Sequence, residues 1–244
     1  MARTDKPLRA IIVDVDGTLY RQRDVRIHVT GALVKAFLAK PLRAWKTMHG
    51  LRVYRQVQEE LRQSTSFGSA ADQLSLTAQK TGYDLPFLQE IVTYWMETMP
   101  LPAVRSARFP GVVDFFRWAA GRQLKLGVVS DYNPVRKLRV LELEQYFTTV
   151  VCAQDKEVGK FKPHPRGLQV AMERLGVEAG EVVYIGDRVD VDCAAARAAG
   201  IEFLLLGTGH KSDGSDVTAA KDWPEIRGVV ENSMGYVMNL PTAS

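Results

Sequence analysis

The chain is 244 residues long, 46% hydrophobic and 25% charged, a length for one α/β domain with or without a smaller inserted unit, and a balance unlike that of disordered or membrane-embedded chains. Two cysteines, Cys152 and Cys193, lie in separate segments without metal-type spacing, which argues against a disulfide framework or a zinc site and for buried free thiols. The formal charge of +4 is local to the first half: sixteen Lys and Arg face ten Asp and Glu up to Arg108, against sixteen facing eighteen afterwards.

The start, Met1 to Pro7, is charged, and the first apolar run is interrupted by Asp14 and Asp16, so it is too short and too acidic for a signal peptide or a spanning helix. A cytoplasmic location is expected. Leu8 to Val15 reads as a strand. From about Tyr20 to Arg108 alternating β-branched runs are lacking, and helices are expected, broken at Pro41, Ser64 to Ser69, Gly82 to Pro86, and Pro100 to Pro102. Within this stretch Leu51, Tyr54, Val57 and Leu61 recur at the steps of a helix burying one stripe. Its basic residues, Arg21, Arg23, Arg26, Lys35, Lys40, Arg43, Lys46, Arg52, Arg55 and Arg62, favour an anionic substrate or surface, or form a solvated helical face.

Beyond Pro110 the pattern changes to helix-then-strand alternation. Helices are predicted at Gly111 to Gly121, Pro165 to Leu175 and Asp192 to Ala199, and strands at Leu124 to Val129, Thr149 to Cys152, Val182 to Ile185 and Glu202 to Leu206. Such alternation predicts an α/β fold, a Rossmann-like parallel sheet with helices on both faces. The opening strand joins that sheet from across the helical unit. Residues 1–20 and 108–244 therefore form one core, and 21–107 a helical insertion.

Ligands of open parallel sheets sit beyond the carboxyl ends of the strands. There the sequence places Asp14-Val15-Asp16-Gly17-Thr18, then Ser130-Asp131, then Lys162-Pro163, then Gly186-Asp187 followed by Asp190 and Asp192. Several carboxylates on one rim repel one another unless a cation joins them. Oxygen donors of this kind suit Mg²⁺ better than zinc, and the lysine and hydroxyl suit a phosphate bridging to it. A calcium loop fits less well, because no regularly spaced acidic ligands follow Gly17 and the preceding run is strand-like.

At these residues the chain resembles the haloacid dehalogenase-like (HAD) superfamily over nearly its whole length, with four short motifs in the family's order. The resemblance implies that Asp14 is a nucleophile forming an aspartyl-phosphate, and that Asp16 protonates the leaving oxygen and then activates water. Gly17 would let Asp14 and the Asp16 backbone carbonyl reach one Mg²⁺, and Thr18 would support that phosphate-binding loop. Thr18, Ser130, Asp131 and Lys162 would bind the transferring phosphoryl group, Lys162 being preferred over Lys160 because it directly precedes a proline. Asp131 stands where many relatives have Asn, and its charge repels phosphate unless paired. Asp187, after Gly186, would complete the metal site, with Asp192 as its remoter second carboxylate and Asp190 as the competitor.

The insertion resembles the helical type of cap that closes over such sites. Arg105, Arg108 and His164 are candidates for substrate contact, with surface or turn roles as the alternative. Trp45, Tyr54, Tyr94 and Trp95 line a pocket or pack the cap, and His28 and His49 are surface or packing residues. The implied activity is a Mg²⁺-dependent phosphatase acting on a small phosphomonoester. The alternatives are a phosphomutase on the same core and a non-catalytic HAD-like binding protein recruited through its basic cap. Dehalogenation is disfavoured, since it offers Asp16 no leaving alkoxide to protonate. No nucleic-acid partner and no stable membrane association are expected, and the sequence leaves the oligomeric state open.

Overall fold

A computed structural model describes residues 6–63, 69–207 and 217–238. Strands β1 (Ala10–Val13), β2 (Lys125–Ser130), β3 (Thr149–Cys152), β4 (Val182–Gly186), β5 (Glu202–Leu206) and β6 (Thr218–Ala220) form one sheet in the order β3-β2-β1-β4-β5-β6. Every neighbouring pair is parallel, so the carboxyl ends share one edge. Both faces are buried, which explains why the strands read as continuous apolar runs.

Successive residues serve opposite faces. On one side Ile11 and Val13 pack with Phe115, Phe116 and Trp223, from helices α6 (Val112–Gly121) and α10 (Trp223–Met238). On the other, Ala10 and Ile12 pack with Leu168, Leu175 and Ala195, from α8 (Arg166–Leu175) and α9 (Ala194–Ala199). Each large buried side chain contributes roughly 2 kcal/mol of transfer free energy. The fold is the Rossmann-like one expected, and Cys152 and Cys193 are buried free thiols.

Between β1 and β2 the chain runs through α1 (Gln22–Ala39), α2 (Pro41–Gln63), α3 (Ala70–Thr81), α4 (Leu85–Val92), a wide turn Thr93–Thr98, and α5 (Leu101–Ser106). These helices form the inserted cap. The punctuation has local causes. Pro41 opens α2, Ser69 and Asp72 cap the start of α3 reciprocally, Gly82 ends α3 in the left-handed conformation, and the Asp84 side chain accepts from Phe87 N. Residues 64–68 of the predicted Ser64 to Ser69 break lie outside the described residues. The two crossings between core and cap run side by side: Arg21 N donates to Ala107 O (2.9 Å) and Phe109 N to Leu19 O (3.1 Å).

Three differences from the sequence reading stand out. The opening strand is shorter than Leu8 to Val15, because the chain turns out of the sheet after Asp14, with Leu19 N bonding back to Val15 O at 3.0 Å. The predicted helix Asp192 to Ala199 begins as a wide turn, Val189–Cys193, and becomes regular only at Ala194. Strand β6 and a short helix α7 (Val135–Val140) lack the apolar runs that announce such elements. Among the described residues no helix is long and apolar enough to cross a membrane.

Candidate active site

The parallel ladder carries Asp14 to the sheet's carboxyl edge, where its backbone N–H still bonds Ile185 O at 2.9 Å. Lys162 reaches the same point from the loop after β3. Its ammonium donates to Asp14 Oδ1 at 2.5 Å, to Asp192 Oδ1 at 2.7 Å and to the Tyr184 hydroxyl at 3.1 Å, and the lysine is buried. Asp192 also accepts from Tyr184 at 2.9 Å and from Arg188 N at 3.1 Å. Asp190 turns outward onto the Arg188 guanidinium, so of the two competing carboxylates Asp192 is the one at the site. The peptide bond Lys162-Pro163 is cis.

Carboxylate atoms of Asp14, Asp187 and Asp192 lie within 4.8 Å of one another. Asp187 Oδ1 is buried without a hydrogen-bond partner, a costly arrangement unless something else coordinates it. Gly17 makes room for it: with φ at +97°, a Cβ on Gly17 would come within 2.2 Å of Asp187 Oδ2. Gly186 has a similar role, since a Cβ there would lie 2.7 Å from the Asp192 carboxyl.

Burial first, and then the neighbouring carboxylates, push Asp14 well above the usual range against the pull of Lys162. Burial and Asp192 push Asp187 up to about 6. Burial alone would lower the Lys162 ammonium, but Asp14 and Asp192 outweigh it and hold it well above its ordinary value.

Asp16 has partners the sequence reading missed. Lys137 of α7 donates to both its oxygens, at 2.6 and 2.8 Å, and Tyr20 donates to Oδ1 at 2.5 Å. Burial would raise Asp16, but Lys137 and Tyr20 prevail and hold it below the usual carboxylate range. No motif flagged Lys137; its place three residues into a short helix after Ser130 was the only signal.

Asp131 is paired, the condition on which a phosphate could lie beside its charge. Arg62, at the end of α2, donates to Asp131 Oδ2 at 2.9 Å and to the Lys162 carbonyl, and Lys162 N donates to Asp131 Oδ1 at 3.3 Å. Ser130 ends β2, buried at the same edge. Thr18 sits behind the site, fully buried, its hydroxyl donating to Asp14 Oδ2 at 3.4 Å. That geometry makes it a support for Asp14.

The remaining candidates lie elsewhere. Arg105 and Arg108 pair with Glu142, at 3.5 and 2.8 Å. His164 Nδ1 accepts from Arg166 N in a turn. His49 stacks on Trp45 and bonds Tyr83, while His28 lines an open hollow beside Pro102 and Ala103. Tyr54 is buried and Trp95 packs in the cap, whereas Trp45 and Tyr94 are exposed and are not cap core.

Five carboxylates, Asp14, Asp16, Asp131, Asp187 and Asp192, thus meet three cations, Arg62, Lys137 and Lys162. The acidic groups outnumber the cations, and an all-oxygen donor set with an orphaned carboxylate oxygen fits a hard divalent ion.

A buried carboxylate on a strand end, steadied by lysine beside an acidic cation site, is the arrangement of one large family, and residues 8–200 match its model: the chain belongs to the haloacid dehalogenase-like hydrolases. Among its relatives, a glyceraldehyde 3-phosphate phosphatase of Methanopyrus kandleri is 27% identical over 84% of this chain and 87% of its own length. A phosphoglycolate phosphatase of Thiobacillus denitrificans is 26% identical over 84% and 85%. A crystal structure of a 2-haloacid dehalogenase from Pseudomonas syringae superposes with a TM-score of 0.66 at 23% identity, covering 92% of this chain and 99% of that one, a likeness of fold.

Proposed function

We propose that the protein is a Mg²⁺-dependent phosphatase of small phosphomonoesters that uses Asp14 as nucleophile. The observation that carries this reading is the Lys162 ammonium, 2.5 Å from Asp14 Oδ1, beside an Asp187 oxygen that no protein donor satisfies. Asp14, the Asp16 carbonyl and Asp187 would hold the ion. Bound there, it would draw charge from the phosphoryl oxygens and offset the repulsion between phosphate and carboxylate.

Asp14 attacks phosphorus, the ester oxygen departs with a proton from Asp16, and an aspartyl-phosphate remains. Water then attacks that phosphorus, returning its proton to Asp16 and freeing Asp14. Lys162 holds the Asp14 carboxylate ready and neutralises charge on the phosphoryl group, and Ser130 donates to its oxygens. Lys137 and Tyr20 keep Asp16 ionised and turned toward α7. To act as acid, Asp16 must take up a proton and exchange those bonds for the leaving oxygen.

The cap, residues 21–107, closes the Lys162 side of the site and selects the substrate. Its support is contact: Arg62 reaches Asp131, and Val57 and Leu61 pack on Ala153 and Phe161 of the core. The names of the relatives point to two- and three-carbon phosphates. Dehalogenation fits poorly, because Asp16 and the two groups that position it would have no leaving alkoxide to serve.

The test is phosphate release from a phosphomonoester panel that includes glyceraldehyde 3-phosphate and phosphoglycolate, with and without Mg²⁺, for wild type beside Asp14→Asn. Magnesium-dependent release lost in the variant is the expected result. Transfer of phosphate to a second hydroxyl of the substrate without release supports a mutase instead, and no turnover of either kind leaves the binding-protein reading.

A further inference from the structure

The tip of the cap carries an apolar surface at the corner where α1 meets α2. Val34, Phe37 and Leu38 recur at helical spacing on α1 and are exposed, Leu38 by 79%. Across the corner at Lys40, Leu42 is 82% exposed and Trp45 57%, with Met48 exposed behind them. At the other end of α1, Val25 is buried in the sheet's core. A rise of about 1.5 Å per residue puts Leu38 roughly 20 Å further along the helix, so the corner lies at the far end of α1 from that core. Clustered apolar side chains left in water mark a contact surface.

The charge carried by the two helices at the corner is of one sign. From Val25 to Gln58 the sequence has seven Lys and Arg and no Asp or Glu. Arg43 is answered by Glu90 at 2.5 Å, whereas Lys35, Lys40 and Lys46 are exposed with no ion-pair partner among the described residues.

We propose that this corner docks the protein reversibly on an anionic lipid surface. Leu38, Leu42 and Trp45 enter the boundary between headgroups and acyl chains, and Lys35, Lys40 and Lys46 meet the phosphates.

Charge complementarity selects this occupant. A second copy meeting the corner about a twofold axis would set lysines against lysines, while Glu90, the carboxylate that reaches this corner, is already paired with Arg43. An acidic protein would need a hollow shaped to a protruding corner, whereas a fluid bilayer accepts protruding side chains without one. Tryptophan and long cationic stems are the residues that settle at a membrane interface, one end apolar and the other wet. The sequence predicts no stable membrane association, its visible stripe being an ordinary one, and that stripe, Leu51 to Leu61, is buried. The outward-facing corner is a separate surface, and reversible docking needs no spanning helix.

The experiment is sedimentation of the full chain with vesicles of phosphatidylcholine alone or mixed with phosphatidylglycerol, at low and high salt. Expected is binding to the anionic vesicles only, released by salt. Leu38→Glu with Leu42→Glu abolishes it, and replacing Lys35, Lys40 and Lys46 by Ala weakens it by about a hundredfold, near fivefold for each. A blue shift of tryptophan emission on anionic vesicles disappears in Trp45→Phe. These exposed sites leave thermal unfolding and phosphate release unchanged, which separates lost docking from lost folding. No sedimentation at low salt, or equal binding to neutral vesicles, overturns the proposal. So does a concentration-dependent dimer dissolved by the Leu38 and Leu42 changes, which assigns the corner to a second copy. Binding to polyglutamate without binding to vesicles assigns it to an acidic protein and equally overturns it.

Discussion

Asp16 lies between the Lys137 ammonium, 2.6 Å away, and the Tyr20 hydroxyl, 2.5 Å away, and both favour its charged form. In the proposed mechanism, an acid that must donate a proton is therefore held as a carboxylate until substrate arrives. Lys137→Met removes the stronger of the two holds and misplaces Asp16. For alkyl phosphates, whose leaving oxygen needs a proton, kcat should fall by about a hundredfold, the range of general acid catalysis. With p-nitrophenyl phosphate, whose leaving group departs unprotonated, the loss should be much smaller. Equal losses on both substrates would assign Lys137 to packing alone. Asp14→Asn should abolish turnover on either, because the proposed nucleophile itself is gone.

At the scale of elements, two features position the site. The first is the turn after β1, where Gly17 combines φ of +97° with a Cβ position 2.2 Å from Asp187 Oδ2. Gly17→Ala should displace Asp187, and a calorimetric titration should show Mg²⁺ binding lost together with activity, even where the sheet still folds. The second is the joint between α2 and the core. Arg62 there spans Asp131 and the Lys162 carbonyl, Tyr132 donates to Gln58 at 2.5 Å, and Gln154 donates to Tyr54 and Gln73. Arg62→Ala leaves Asp131 without its guanidinium beside the proposed phosphate position. The expected cost is about 2 kcal/mol of stability, as for a lost hydrogen bond to a charged group, read as a lowered denaturation midpoint. KM should rise as well, since Asp131 would then repel the substrate.

Over the whole molecule the acidic site couples stability to pH and, in the proposed function, to metal. Asp187 is raised from 3.8 to about 6 by burial and Asp192, and Asp14 is raised in the same direction. A carboxyl group raised in the folded state binds its proton more tightly there than in the unfolded chain. Its contribution to stability is complete below its unfolded value and is lost as pH rises through about 6. A divalent cation relieves the repulsion that protons relieved. Saturating Mg²⁺ should therefore raise the melting temperature more at about pH 8 than at about pH 5. A gain independent of pH would mean that the ion does not bind at these carboxylates. Asp16, lowered by Lys137 and Tyr20, has the opposite sign, and its contribution is lost only as pH falls below the ordinary carboxylate range.

The sequence by itself determined the parallel sheet, because strands buried on both faces must be apolar throughout, and it located Asp14, Ser130, Lys162 and Asp187, because a strand's carboxyl end is a fixed place in such a fold. It also determined that the segment between the first two strands is helical, from periodicity and from the residues that stop helices. Tertiary structure alone decided between Asp190 and Asp192, which differ by two positions but face solvent and site respectively. It likewise brought Lys137 to Asp16 and Arg62 to Asp131 across 121 and 69 residues of chain. It left Leu38 and Leu42 exposed on helices whose composition alone is compatible with burial. The reason is common to all of these: local propensity and burial pattern are written along the chain, whereas which charge meets which depends on how helices and loops distant in sequence are packed together.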